Sequence, residues 1–178
     1  MIEIRWHGRG GQGAVTASEM LANAALRDGK YVQAFPAFGP ERRGAPVLAF
    51  TRIDDKPIEI RWQIAEPDVV VVLDMSLLSV VNVTSGLKSD GIVVLNTAKD
   101  SSEVKKIFPN YKVAKADATS IALKNLGAPI TNTAMLGALL KAAPVISFET
   151  IAKVVGERFD QRNVTSLKET YDSTEVLN

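Results

Sequence analysis

The sequence predicts an α/β fold: one three-layer α/β/α domain with a mixed, mainly parallel sheet and a helical C-terminal third. Three observations predict it. The chain opens with a strand, a glycine loop, a helix and a second strand. Two later stretches, Val69 to Leu73 and Ile92 to Leu95, are unbroken aliphatic runs, the pattern of strands covered on both faces. From Asp117 onward, capping residues and apolar residues at helical spacing succeed one another.

Each element has a local reason. Ile2, Ile4 and Trp6 alternate with Glu3, Arg5 and His7, the period-two signature of a strand. The loop Gly8 to Gly13 follows, then helix formers from Ala14 to Asp28, stopped by Gly29. Tyr31 to Phe38 is strand-like again. Val47 to Ile53 and Ile58 to Trp62 flank the turn Asp54 to Pro57, which predicts a hairpin. Tyr111 to Ala116 is a weaker strand, expected at an edge. Asp117 caps a helix ended by Gly127, and Thr133 to Ala143 forms another, closed by Pro144. Ser147 caps a third with Ile151, Val154 and Val155 on one face, and Asn163 opens a fourth. No repeat, linker or low-complexity stretch divides residues 1–178, so a single domain is expected.

Composition narrows function. The 178 residues are 46% apolar and 23% charged, enough to bury a core. Lysine and arginine number 21 against 20 acids, so the surplus of a general nucleic-acid binder is missing. With no cysteine, the chain cannot form a disulfide or hold an iron–sulfur cluster through its own thiolates. Its one histidine, His7, cannot build a multi-histidine metal centre. Redox chemistry must be borrowed. No apolar run approaches the about 20 residues of a membrane span, and Glu3 interrupts any signal-peptide pattern, so a cytoplasmic location is expected.

The strongest chemical signal is Gly8-Arg9-Gly10-Gly11-Gln12-Gly13. Gly8, Gly10 and Gly13 satisfy G-x-G-x-x-G between a strand and a helix, where backbone N–H groups and a helix N-terminus suit a diphosphate. The acid that would bind a ribose is absent from Gln33 to Phe38, and Ala14, Val15 and Thr16 replace the Lys and Ser/Thr of a P-loop. NAD and ATP are therefore disfavoured. The lesser alternative is that the glycines serve only tight strand-to-helix packing.

A second signal is Phe38-Gly-Pro-Glu-Arg-Arg-Gly-Ala-Pro46. Its glycines and prolines shape a loop, and Arg42 and Arg43 offer planar forks to phosphate or carboxylate. Alternatively Glu41 pairs with one arginine while the other faces solvent or another subunit. Asp74 and Asn96-Thr97 end strands where α/β ligands bind, although Asp74 suits a helix cap. Asn132 is expected to cap its helix, and His7 to be structural. No nucleophile–base set, carboxylate pair or metal cluster emerges, so no catalytic residue is assigned.

Ile4-Arg-Trp-His-Gly-Arg-Gly-Gly-Gln-Gly-Ala-Val-Thr-Ala17 closely resembles the gamma subunit of the 2-oxoacid:ferredoxin oxidoreductases. So do Gln33-Ala-Phe-Pro-Ala-Phe-Gly-Pro-Glu-Arg-Arg-Gly-Ala-Pro-Val47 and Phe50-Thr-Arg-Ile-Asp54. The similarity continues through Glu66-Pro-Asp68, Asn96-Thr97 and Asn132-Thr-Ala-Met-Leu-Gly137. The Pro-Glu-Arg-Arg-Gly-Ala-Pro form resembles the pyruvate and branched-chain members.

The resemblance implies a subunit of a complex that oxidatively decarboxylates a 2-oxoacid, usually pyruvate, to an acyl-CoA and reduces ferredoxin. It implies alpha, beta and delta partner subunits, with thiamine diphosphate and iron–sulfur clusters held by partners. It also implies a domain involved in binding coenzyme A, whose phosphates would suit a loop lacking a ribose-binding acid. On that basis Gly8, Arg9, Gly10, Gly11, Gln12 and Gly13, with Arg42 and Arg43, are expected at the coenzyme or a subunit contact. A purely architectural subunit and a branched-chain 2-oxoacid specificity are the alternatives.

Overall fold

A computed structural model of the chain describes residues 1–37 and 44–178. In β1 (Ile2–Arg9), Ile4 and Trp6 occupy one face and Arg5 and His7 the other, and all four are buried. Alternation of this kind ordinarily marks a strand with one wet face. Here β1 is central. It pairs antiparallel with β3 (Pro46–Asp54) on one side and parallel with β4 (Val69–Val72) on the other. β2 (Tyr31–Pro36) pairs antiparallel with the remaining edge of β3. Beyond β4 come β5 (Ile92–Asn96), β6 (Lys112–Ala116) and β7 (Glu175–Leu177), giving the order β2-β3-β1-β4-β5-β6-β7. The sheet is mixed, as expected. Three of its six pairings are parallel and three antiparallel, so parallel pairing is half of it rather than most.

Two strand expectations are corrected. Ile58 to Trp62 does not pair with β3, because β1 and β2 already occupy both edges of that strand. The segment instead gives its carbonyls to side chains. Gln33 Nε2 donates to the carbonyls of Ile58 (3.2 Å) and Ile60 (2.9 Å), and Arg52 Nη2 to that of Trp62 (2.8 Å). Nor is β6 an edge. β7, a three-residue strand with no distinctive sequence pattern, covers it.

Local signals set most helices. α1 (Ala14–Arg27) ends before Gly29, whose φ of 78° is left-handed. α2 (Ser101–Ile107), a two-turn helix with one buried apolar residue, is capped by Asp100. α3 (Ala118–Leu126) is capped by Asp117, which accepts from Ser120 N at 3.0 Å, and ends at Gly127. α4 (Asn132–Ala142) and α5 (Phe148–Arg158) follow, the latter capped by Ser147. α6 (Gln161–Ser173) begins before Asn163, because Asp160 caps it through the amides of Arg162 and Asn163.

The layers follow from the strands. Ile4, Trp6, Val69, Val71 and Val94 face a core shared with α1, α4, α5 and α6. Val70, Val72, Val93 and Leu95 face a thinner layer containing Val104 and Phe108 of the α2 region and Val83 and Leu87 of the β4–β5 connection. The unbroken aliphatic runs therefore serve two cores. Gly137 on α4 lies so close to the Leu167 carbonyl that a Cβ would not fit, which sets the α4–α6 approach. Among the described residues, no helix is long and apolar enough to cross a membrane.

Candidate functional site

After β1 the chain returns through α1 towards β2, whereas after β4 it proceeds to β5 on the other side. That divergence opens a crevice at the carboxyl ends of the parallel strands, the place where open α/β sheets bind ligands. The crevice is a cleft of about 870 Å³. Gly10, Gly11 and Gln12 form one wall. Asp74, Asn96, Thr97 and Asp117, each just past or at the end of a strand, form its floor, and Thr131 before α4 lies opposite.

The glycines of the loop do different work. Gly8 sits inside the β1–β3 ladder opposite Val47, and a Cβ there would lie 3.1 Å from the Cβ of Ala14. It serves strand-to-helix packing. Gly10 donates its amide to the Ala45 carbonyl (2.9 Å) and accepts from the Gly44 amide (3.1 Å). Its donor is therefore consumed within the protein. Gly11 and Gly13 have φ of 95° and 79°, left-handed values that side chains rarely adopt. Gly13 is also the N-cap of α1, with no side-chain cap, and a Cβ on it would stand 2.5 Å from Asn132 Nδ2.

The amides of Gly11, Gly13, Ala14 and Val15 meet no acceptor among the described residues. Helix geometry leaves the donors of Gly13, Ala14 and Val15 without partners inside the helix, and the macrodipole adds partial positive charge there. Gly11 lines the cleft, and Gly13, Ala14 and Val15 follow it into α1. An anion is the guest such donors suit.

Arg9 and Gln12 are latched rather than free. Gln12 Oε1 accepts from the Arg9 amide (2.7 Å), and Gln12 Nε2 donates to Asp74 Oδ2 (2.8 Å). Arg9 Nε stands 3.3 Å from the same Asp74 oxygen, its Nη2 donates to Ser76 Oγ (2.7 Å), and its Nη1 donates to the Gly44 carbonyl (3.0 Å). Burial pushes the Asp74 carboxyl up, but the Ser76 and Gln12 hydrogen bonds and the Arg9 charge outweigh it and hold the group below the usual carboxylate range. Asp74 also caps the 3-10 helix Met75–Ser79 through the Ser76 amide. The cleft thus contains an ionised acid beside a neutralised arginine. Arg9 is therefore not a free cation for an anionic guest.

Arg42 and Arg43 lie outside the described residues, as do Phe38 and Glu41. The chain leaves at Ala37, whose amide donates to the Leu48 carbonyl (2.9 Å), and returns at Gly44, tied to Gly10 and Arg9. Asn132 is not the cap of α4. Thr131 holds that position, and Asn132 Oδ1 accepts from the adjacent Thr133 amide (2.9 Å) while its other end covers Gly13. Asn96 is structural, its Nδ2 donating to the Leu73 carbonyl and to Thr119 Oγ1. His7 lies away from the cleft, buried, with Nε2 accepting from Arg5 Nε (3.1 Å). Burial and the Arg5 charge push its pKa down to about 4. Ser76 and Thr131 had no sequence signal of their own. Only their place after a strand end or before a helix could have found them.

Among the described residues, no group of three or more histidines, cysteines or acids could hold a metal ion. The one hydroxyl–carboxylate contact among the cleft's described lining residues, Ser120 Oγ on Asp117 Oδ2 (2.7 Å), belongs to the cap of α3, and no third group extends it into a catalytic set.

The family described as pyruvate ferredoxin/flavodoxin oxidoreductase matches residues 3–172. The chain is 57% identical to the pyruvate/ketoisovalerate oxidoreductases common subunit gamma of Pyrococcus furiosus, with 99% of both chains covered. It is 58% identical to pyruvate synthase subunit PorC of Methanothermobacter marburgensis, over 89% of this chain and 87% of that one. The crystal structure of pyruvate oxidoreductase subunit PORC from Thermotoga maritima superposes with a TM-score of 0.89 at 43% identity, covering 99% of this chain and 98% of that one. A 2-oxoglutarate:ferredoxin oxidoreductase from Magnetococcus marinus, with 2-oxoglutarate, coenzyme A and succinyl-CoA bound, shares the fold over 96% of this chain and 30% of that one. Its TM-score is 0.75 at 20% identity.

Proposed function

This chain belongs to the pyruvate ferredoxin/flavodoxin oxidoreductase family, and from that premise we propose that it is the gamma subunit of a pyruvate:ferredoxin oxidoreductase that helps to bind coenzyme A. Near-complete coverage at 57% identity by a gamma subunit is the observation that carries the subunit assignment. The complex converts pyruvate and coenzyme A to acetyl-CoA and carbon dioxide and passes two electrons to ferredoxin. Alpha, beta and delta subunits are the partners, and thiamine diphosphate and the iron–sulfur clusters reside in them. A chain without cysteine is consistent with that division. The Pyrococcus relative is a subunit common to pyruvate and ketoisovalerate enzymes, so a branched-chain 2-oxoacid is the alternative substrate of the same assembly.

The open amides of Gly11, Gly13, Ala14 and Val15 support the coenzyme reading. Unpartnered amides at a glycine loop that leads into a helix suit the oxygens of a diphosphate, with the Asn132 amide beside Gly13 as a further polar group. Gly8 and Gly10 support the loop's shape, and Gln12 and Arg9 hold it against Asp74. Coenzyme A supplies the thiol that accepts the acyl group. This chain's share is to hold the phosphates and orient them, with Arg42 and Arg43 adding the positive charge that the latched Arg9 does not.

Isothermal titration of the assembled complex with coenzyme A tests this on Arg42→Ala/Arg43→Ala. Losing two charge-assisted contacts should weaken binding about tenfold or more, with an unchanged size-exclusion profile. Unchanged affinity in an intact complex would remove the arginines from the coenzyme site. Dissociation of the complex at unchanged affinity would favour the architectural alternative.

A further inference from the structure

The polar face of β1 contains a charge with no counter-charge. Arg5 is 7% exposed, and no acid among the described residues forms an ion pair with it. Its acceptors are neutral: His7 Nε2 (3.1 Å) for Nε, and the carbonyls of Val83 (3.0 Å) and Ser85 (2.5 Å) for Nη2. Buried arginines ordinarily have an anion beside them, because desolvating a lone cation is costly. The third nitrogen, Nη1, bonds nothing among the described residues, yet no unpartnered side-chain nitrogen is sealed from solvent. It must therefore reach open space.

That space is a cavity of about 310 Å³ on the side of β1 away from α1. Arg5 and His7 line its inner end, Val47, Leu48, Leu77 and Val81 its walls, and the exposed Asn82 and Ser85 its rim. His7 adds a second donor. Because Nε2 accepts from Arg5, the neutral ring carries its proton on Nδ1, which also has no partner among the described residues. The inner end thus presents one positive charge and N–H donors, enclosed by aliphatic side chains.

We propose that this cavity is a binding site for a small free monocarboxylate with a short apolar body. The free Nη1 offers a charge-assisted donor to one carboxylate, its Nε and Nη2 being held by His7 and the two carbonyls. Aliphatic walls match a few methyl or methylene groups, and the volume is at the small end for ligand sites. A phosphate dianion fits poorly, since a single cation between apolar walls leaves its second charge uncompensated. The site is independent of the coenzyme reading and uses none of the cleft amides.

The probe is isobutyrate, titrated into the assembled complex containing this chain. One saturable site per gamma chain is expected that is absent from the isotherm of Val81→Phe, which fills the cavity and keeps Arg5. Arg5→Lys keeps the charge but loses the Nη1 donor that His7 and the two carbonyls hold in place, and should weaken the same site about tenfold. Isobutyramide and isobutylamine, equal in shape but neutral and cationic, should bind at least about tenfold more weakly than isobutyrate. Identical isobutyrate isotherms for wild type and Val81→Phe would overturn the proposal, as would inorganic phosphate binding more tightly than isobutyrate at this site.

Discussion

On one face of β1, Ile4 and Trp6 lie in the core with α1, and Gly8 brings the strand against Ala14. On the other face Glu3, Arg5, His7 and Arg9 form a polar row that is itself covered. The apolar face needs only contact area, and its stabilisation is non-directional. Every member of the polar row needs a partner. At one end Glu3 pairs with Arg52 (2.7 Å), and at the other Arg9 pairs with Asp74 (3.3 Å). Only the middle has a cation without an acid. The polar face therefore specifies positions, and its two ends fix segments that the sheet alone does not hold: residues 58–62 and the glycine loop.

The largest break in this comparison is expected at the Glu3 end. Arg52 has a fully buried side chain, bonded to Glu3, to Gln33 Oε1 (3.1 Å) and to the Trp62 carbonyl (2.8 Å). Arg52→Met leaves a mostly buried carboxylate unpaired and frees the covering segment. Removing one partner of a buried pair costs about 3–5 kcal/mol, and denaturant unfolding of the full chain should read a loss of that size. Glu3→Gln/Arg52→Met should recover part of it, because the stranded charge is gone. A midpoint shift below about 1 kcal/mol in the single variant would show that this end behaves like an exposed pair.

A smaller effect belongs to the middle of the row. His7 titrates near 4 in the fold, because burial first and the Arg5 charge second oppose its protonation. In an unfolded chain it titrates near about 6.5. Between those values the unfolded state binds a proton that the folded state refuses. The contribution is complete above about pH 6.5 and is lost as pH falls towards 4, amounting to roughly 3 kcal/mol. Stability measured from pH 7 to 4 should fall more steeply for wild type than for His7→Gln. Parallel curves would mean that His7 accepts its proton in the fold and that the middle of the row is wetter than its geometry implies.

How far this was legible in the sequence depends on the distance over which each signal acts. Asp117, Gly127 and Ser147 mark helix ends through atoms three or four residues away, and each stands where its pattern places it. The glycine loop's location between strand and helix is equally local. The hairpin at Ile58 to Trp62 failed because the alternation of that segment says nothing about whether β3 has a free edge. The same non-locality hid β7 and with it the inner position of β6. Within the site, the glycine spacing gave the loop but could not divide its labour. Gly10 loses its donor to Ala45, 35 residues away, and Arg9 loses its charge to Asp74. Arg5 and Glu3 look alike in an alternating strand, and only the neighbours of β1 distinguish them.

The smallest expected effect is at the loop end, and it tests whether the latch serves or opposes an anion. Asp74→Asn keeps one oxygen to accept from the Ser76 amide but sets an amide nitrogen where Oδ2 accepts from Gln12, so the loop is then held by Gln12 Oε1 on the Arg9 amide and by Arg9 on Ser76 and Gly44. Because the Arg9–Asp74 pair is partly exposed, the stability cost should be below about 1 kcal/mol. Two electrostatic changes follow. A negative charge leaves the cleft floor, and Arg9 is no longer neutralised. At the high effective dielectric of an open cleft, these changes should strengthen coenzyme A binding by the assembled complex about two- to fivefold, more at low salt than at high. Weaker binding would show that the Asp74 charge positions the Gly11 and Gly13 amides, making the latch part of the cradle. Unchanged affinity at every salt concentration would place the bound phosphates beyond the reach of Asp74 and therefore away from this loop.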